Sequence, residues 1–187
     1  GKEFMFNFTK PFMNKLRFSF YTIFEIKETF MSRLDSSKNE QSSRFRFELT
    51  YLISKNLSNK YRVEFANVSS KESKKINKGF LVYNELKAKM FSDKLKLSCR
   101  LTFFRTTSYD SRIYTFENDL PGLITVMPFY NDGFKWYVLI SYAPTTHLIL
   151  YIRISELYKN TPAFVDSNSL SLGDAVKSIN LQMDMNF

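Results

Sequence analysis

Polarity along this chain switches with period two in segment after segment, and this restricts the fold more than any other feature. In RFRFELTYLI, Phe45, Phe47, Leu49, Tyr51 and Ile53 take one side against Arg44, Arg46, Glu48 and Thr50. From Leu16, Phe18, Phe20, Phe24 and Ile26 oppose Arg17, Ser19, Tyr21, Glu25 and Lys27. The same switch recurs at Phe4, Phe6 and Phe8, at Tyr61, Val63 and Phe65, and at Phe80, Val82, Leu86, Ala88 and Met90. It continues at Leu95, Leu97, Cys99, Leu101 and Phe103, through KWYVLISYA and HLILYIRIS, and into the closing SINLQMDMNF. Successive side chains of a strand point to opposite faces, so each segment reads as a strand with one apolar and one polar face. No stretch shows a helical period.

The connections between these strands alternate in length. Met13 to Lys15, Lys55 to Asn59, Phe91 to Lys94 and Ala143 to Thr146 are short. Residues 34–43, 69–78, 105–134 and 159–176 are long and polar. Tight turns at one end and long loops at the other describe an up-and-down antiparallel sheet. The transmembrane β-barrel has this layout, with strands of roughly 10 residues, a lipid-facing apolar band and a polar interior. Closure also pairs every backbone polar group without water, which a bilayer requires. The segment LITVMPF (123–129) is the ambiguous element. If it spanned, the short APTT turn would fall on the wrong side, so 105–134 is expected to be one outer loop, with a hairpin extending above the membrane. That leaves nine spanning strands. Bacterial single-chain barrels have even strand numbers, so the expectation is the carboxyl-terminal part of a larger barrel; ten strands could close alone if 123–129 spans. The whole of residues 1–187 is expected to form this one unit.

Composition removes several function classes. A single cysteine, Cys99, excludes an internal disulfide and any multi-cysteine metal site. A formal net charge of +9 permits contact with nucleic acid or anionic membranes only where the charge is clustered. Here charges and stacking aromatics lie on opposite faces, which argues against nucleic acid. Twenty Phe and eleven Tyr suit strands. No apolar run reaches the 18 or more residues of a spanning helix, and the first residues already alternate rather than forming a signal peptide. No cofactor motif is present.

Two resemblances bear on location. The alternating last strand ending on Phe187 resembles the carboxyl-terminal signal that outer-membrane barrels present to the barrel-assembly machinery. YDSRIYTFENDLPG (109–122) followed by NDGFKWYVLISYAP (131–144) resembles the end of a Bacteroidota-type outer-membrane barrel family, whose members often carry a helix-hairpin-helix segment upstream. The resemblance implies a barrel in the bacterial outer membrane, with outer-membrane lipid, the assembly machinery and other subunits of a membrane complex as partners. It implies no activity.

The polar faces supply the candidate site residues. Arg17, Lys27, Arg44, Arg46, Lys60, Arg62, Lys87, Lys89, Lys96, Arg100 and Arg153 are expected to line the lumen, facing Glu25, Glu48, Glu64, Glu85 and Asp184. Arg46 and Glu48 should lie near Arg62 and Glu64, and these near Glu85 and Lys87. Opposite charges on facing strands support each other by about 0.2–1 kcal/mol per pair. A salt-bridge ladder is the more economical reading; fixed positive charge lining a channel would instead favour anions. In the long loop, Asp110, Arg112, Glu117, Asn118 and Asp119 form the densest polar cluster. It lacks the twelve-residue calcium-loop spacing, and is expected to be a loop salt-bridged within itself, folded over the barrel mouth. Lys71, Lys74, Lys75 and Lys78 read as a solvated basic loop. His147 beside a short turn has no G-x-S-x-G or other nucleophile motif to serve, so an enzyme is not expected. The function that follows is a non-enzymatic channel, transporter or scaffold of the outer membrane. The competing reading is a soluble antiparallel barrel that binds a lipid-like ligand, with its apolar face inward.

Overall fold

The computed structural model describes residues 1–12, 14–31, 36–70, 75–160 and 174–185. Nine strands form one antiparallel sheet in which neighbours in space are neighbours in sequence, save for one interruption. They are β1 (Lys2–Phe12), β2 (Leu16–Met31), β3 (Ser36–Ser54), β4 (Leu57–Ser70), β5 (Ile76–Met90) and β6 (Leu95–Thr106). After β6 come a short 3-10 turn (Tyr109–Ser111) and two five-residue strands, β7 (Ile113–Glu117) and β8 (Thr125–Phe129). The sheet resumes with β9 (Asp132–Tyr142), β10 (Leu148–Asn160) and β11 (Asp174–Met185). β9 pairs directly with β6, while β7 and β8 pair only with each other. The sheet is not closed: β1 and β11 are its two ends.

The strand bounds correct the expected loops. β2 and β3 run on until Met31 faces Ser36, so most of 34–43 is strand. β4 reaches Ser70 and β5 starts at Ile76, which shortens the 69–78 connection. β10 runs to Asn160 and β11 starts at Asp174, so the last long connection narrows as well. Polar composition does not end a strand whose neighbour goes on offering backbone partners. Lys71, Lys74 and Phe187 lie outside the described residues.

The segment 123–129 does not join the main sheet, in keeping with the parity argument. Its position differs from the expectation, however. Rather than standing above the sheet or over a mouth, the β7–β8 hairpin lies flat against the sheet's polar face. The cause is a patch of apolar residues on that otherwise polar face. Ala66, Leu81, Tyr83 and Phe104 form a buried cluster with Ile113 and Phe129 of the hairpin, and Met127 and Leu157 pack against it. Leu81, Ile113 and Phe129 are wholly buried. Each such side chain taken out of water contributes roughly 1.5–3 kcal/mol, which fixes the hairpin to β4, β5 and β6. At its root, the Ser111 hydroxyl donates to Lys78 O at 3.0 Å and Thr107 N donates to the same carbonyl at 2.8 Å.

Candidate functional site

The face that carries the hairpin (the inner face) holds nearly all the buried charge. Arg46 and Glu48 lie beside Arg62 and Glu64, as the sequence predicts, and the register sets Arg46 opposite Glu64 and Glu48 opposite Arg62. Arg46 Nε donates to Glu64 Oε2 at 2.8 Å, and Arg62 Nη2 reaches the same carboxylate. Lys60 Nζ lies 2.9 Å from Glu48. Glu85 does not meet Arg62 or Glu64: β5 is offset so that Glu85 faces Lys60 on β4 and Arg100 on β6. Arg100 Nε donates to Glu85 Oε2 at 2.8 Å, and its Nη2 bonds the same oxygen.

Aromatic rings interleave with the arginines. The Arg46 guanidinium lies over Tyr21, Arg62 and Arg100 lie over Tyr83, and Arg100 and Arg153 lie over Tyr137. At 4.2 Å, Arg100 over Tyr83 is the closest of these stacks. Guanidinium faces favour such rings, by up to about 2 kcal/mol when desolvated. A continuous belt therefore crosses from β2 to β10. Tyr83, Tyr137 and Lys135 were not among the predicted site residues, although they occupy the polar side of the same alternation.

The hairpin docks on this belt through its own backbone and the side chains of Glu117, Asn118 and Asp119. Arg100 Nη1 donates to Phe116 O at 2.7 Å, Arg62 to Tyr114 O at 3.4 Å, and Arg153 Nε to Asn118 O at 3.2 Å. Glu117 Oε2 accepts from Lys135 Nζ at 2.7 Å and from Arg153 Nη2 at 2.8 Å; the Glu117 side chain is 1% exposed. Its other oxygen, Oε1, has no hydrogen-bond partner. The Asn118 amide donates to Glu85, Ser98 and Tyr137. Side chains from β5, β6, β9 and β10 thus converge on one residue. Strands in a sheet lie about 4.8 Å apart, so the sheet must curl toward the hairpin for them to meet.

The predicted loop cluster is accordingly divided. Glu117, Asn118 and Asp119 bond to the sheet instead of to one another: Asp119 Oδ1 lies 3.6 Å from Arg153 and also accepts from Leu120 N at 2.8 Å. Arg112 stays at the root of the hairpin, over Tyr109 and bonded to the Tyr114 hydroxyl at 2.6 Å, with Asp110 beside it on the 3-10 turn. Among the other predicted lining residues, Glu25 and Lys27 pair at 2.8 Å near the long-connection end. Together with Arg44 they line a small cleft that also includes Asp110 and Arg112. Lys87 Nζ lies 3.2 Å from Glu85. Arg17 is exposed near the opposite end of β2. His147 sits in the β9–β10 turn, its backbone N donating to the Thr145 hydroxyl at 3.3 Å. Among the described residues, no group of acidic, His and Cys side chains could hold a metal ion.

The outer face is the reverse. Phe4, Phe6, Phe8, Phe24, Phe47, Phe65, Phe80, Leu101, Phe103, Leu150, Ile179, Leu181 and Met183 are all exposed there. Many meet ring to ring across strands: Phe20 and Phe47 at 4.9 Å, Phe24 and Phe45 at 5.5 Å, Phe65 and Phe80 at 5.3 Å. Two amides, Asn59 and Asn84, interrupt the band and bond to each other at 2.6 Å. On β9 the outward row runs from Phe134 to Tyr142, matching the 9–11 residues (roughly) of a tilted membrane-spanning strand. No helix among the described residues is long and apolar enough to cross a membrane.

No family model matches the sequence and no curated protein is similar to it. Among solved structures, CdiB from Acinetobacter baumannii is similar to this chain over 99% of its length, at 10% identity and a TM-score of 0.39. The chain spans 44% of that chain's length.

Proposed function

We propose that this chain forms the wall of a bacterial outer-membrane β-barrel that serves as a non-enzymatic channel, transporter or scaffold, with the β7–β8 hairpin obstructing the lumen. The observation that carries the proposal is the inverted distribution of polarity. Ion pairs are buried on the inner face while rows of Phe, Leu and Met stand exposed on the outer one. In water such an outer surface far exceeds the few hundred Å² of apolar patch that soluble monomers tolerate; in lipid it is the required surface. The open edges of β1 and β11 carry a consequence for this reading. Unpaired edge groups cannot sit in hydrocarbon, so both edges pair with strands when the wall is in a membrane. The outward row of Ile179, Leu181, Met183 and Met185 on β11, with Phe187 following in the sequence, would be the element read by the barrel-assembly machinery. Membership of a Bacteroidota-type barrel family belongs to the same proposal. The lipid-binding soluble barrel has no support here, because its ligand-facing side would be the ion-paired one.

The test is a pair of arginine substitutions, read by a heat-modifiable gel shift and by urea unfolding in lipid vesicles. Leu101→Arg, on the outer face, costs about 2–4 kcal/mol at bilayer mid-depth. Ser19→Arg, on the inner face opposite Glu48, is neutral. Absence of any heat-modifiable shift, or equal and small effects of both substitutions, would overturn the membrane assignment, since exposed sites of soluble proteins change by only about 0.5 kcal/mol.

A further inference from the structure

Toward the short-turn end of the sheet, beneath the tip of the hairpin, the charge pairing of the inner face fails. Lys89 of β5 stands directly opposite Lys96 of β6. The row continues through Ser141 of β9, Tyr151 of β10 and Gln182 of β11. Lys87 stands one step nearer the belt, opposite Ser98. Like charges directly opposite each other on neighbouring strands destabilise a sheet. Nearby carboxylates relieve this only in part. Lys87 has Glu85 at 3.2 Å and Lys89 has Asp93 at 3.4 Å, whereas Lys96 has no ion-pair partner among the described residues.

Lys87, Lys89, Lys96, Ser98, Ser141 and Tyr151 line, with the hairpin tip, an open cleft of about 490 Å³. Its roof includes Phe116, Leu120 and Leu123, with Leu139 on the wall. Asp119 is also in the lining, but its oxygens are taken by Leu120 N, the Thr125 hydroxyl and Arg153. The cleft therefore offers ammonium groups on one side and apolar surface on the other. Its size falls within the roughly 300–1,000 Å³ of small-molecule sites.

We propose that this cleft binds a small organic anion, a carboxylate or phosphate carried on a compact apolar body. The anionic group lies between Lys89 and Lys96, and the apolar body packs under Leu123 and Phe116. A bound anion removes the repulsion that the sheet otherwise carries where Lys89 and Lys96 face each other. The proposal rests on the inner face being a lumen and names the class of solute met there.

The test uses the protein in lipid nanodiscs, titrated calorimetrically with 1-naphthyl phosphate, 1-naphthoate, inorganic phosphate and neutral 1-naphthalenemethanol, with empty nanodiscs as blank. At least one naphthyl anion binds saturably, about tenfold or more tighter than the alcohol or inorganic phosphate, and the better of the two identifies the head group. Loss of one charge-assisted contact makes Lys96→Gln bind about tenfold more weakly. The same substitution raises the melting temperature of the unliganded protein, because it removes a repulsion; a lysine with a purely structural role would lower it. No saturable binding, equal binding of the alcohol, or a Lys96→Gln protein that is less stable or binds unchanged overturns the proposal. The heat-modifiable shift is read on the same samples. A protein that shows the shift but binds no anion loses the site alone, and a protein without the shift loses the lumen on which it rests.

Discussion

Replacing Glu117 by Gln removes the carboxylate that ties the hairpin to β9 and β10 while keeping its shape. Two short contacts are affected, Lys135 at 2.7 Å and Arg153 at 2.8 Å, all three side chains being 6% exposed or less. The two cations are not left equal. Arg153 keeps Asp119 at 3.6 Å, the Ser155 hydroxyl at 3.3 Å and Asn118 O at 3.2 Å, as well as the Tyr137 ring. Lys135 has no other salt bridge among the described residues. Breaking a buried pair and leaving a charge behind costs about 3–5 kcal/mol; with Arg153 largely re-satisfied, the lower end, about 3 kcal/mol, is expected. The apolar anchor of Ile113 and Phe129 is untouched, so the hairpin loosens at its Glu117 end without leaving the sheet. Urea unfolding in vesicles, followed by the emission of Trp136, which adjoins Lys135 in the chain, reads the stability. On the proposed channel reading, planar-bilayer recording shows larger and more frequent open events than in the parent. Lys135→Met combined with Glu117→Gln recovers most of the loss, since the orphaned charge is gone. A loss below about 1 kcal/mol, or a double variant as weak as the single one, refutes the assignment of Glu117 as the tie.

Two other substitutions probe the same architecture. Arg100→Leu leaves Glu85 buried with Lys87 as its remaining salt bridge and costs about 3 kcal/mol, while adding Glu85→Leu restores stability to near the parent in the same unfolding assay. Gly79→Ala places a methyl group 2.2 Å from the Ser111 carbonyl oxygen; displacing the hairpin root costs about 1–3 kcal/mol and exposes residues 107–131 to added protease sooner than in the parent.

The strands were legible because polar and apolar residues alternate so strictly; the nearness of Arg46 and Glu48 to Arg62 and Glu64 follows from that pattern and one short turn. The inward course of the hairpin was not, and the reason lies in a local exception to the same pattern. At Phe80 to Tyr83 and at Phe103–Phe104 the alternation lapses into continuous apolar runs. Both faces of the sheet are apolar at that level, and an apolar inner face calls for a cover. Ile113 and Phe129 are that cover, but nothing in their own neighbourhood distinguishes them from residues of an exposed loop. The partner of Glu85 was misjudged for a different reason. Charge complementarity alone does not show how far β5 slides along β4, and the offset is set by backbone pairing along the whole strand. Lys135 and Tyr137 stand on the polar side of KWYVLISYA; extending the inner row along β9 would have found them.

The hairpin is inserted between two strands that must become neighbours, β6 and β9, and this bears on the order in which the wall can be built. Joining β6 to β9 closes a loop over residues 107–131, an entropic cost that grows as about (3/2)RT ln n for a flexible loop. β7 and β8 are local in sequence and form on the microsecond scale of hairpins, roughly 1–10 μs. Once seated on β5 and β6 they present Glu117 to the incoming Lys135 and Arg153. The insertion then acts as a template that recruits β9 and β10, and the curled sheet acquires its filling as these strands pair.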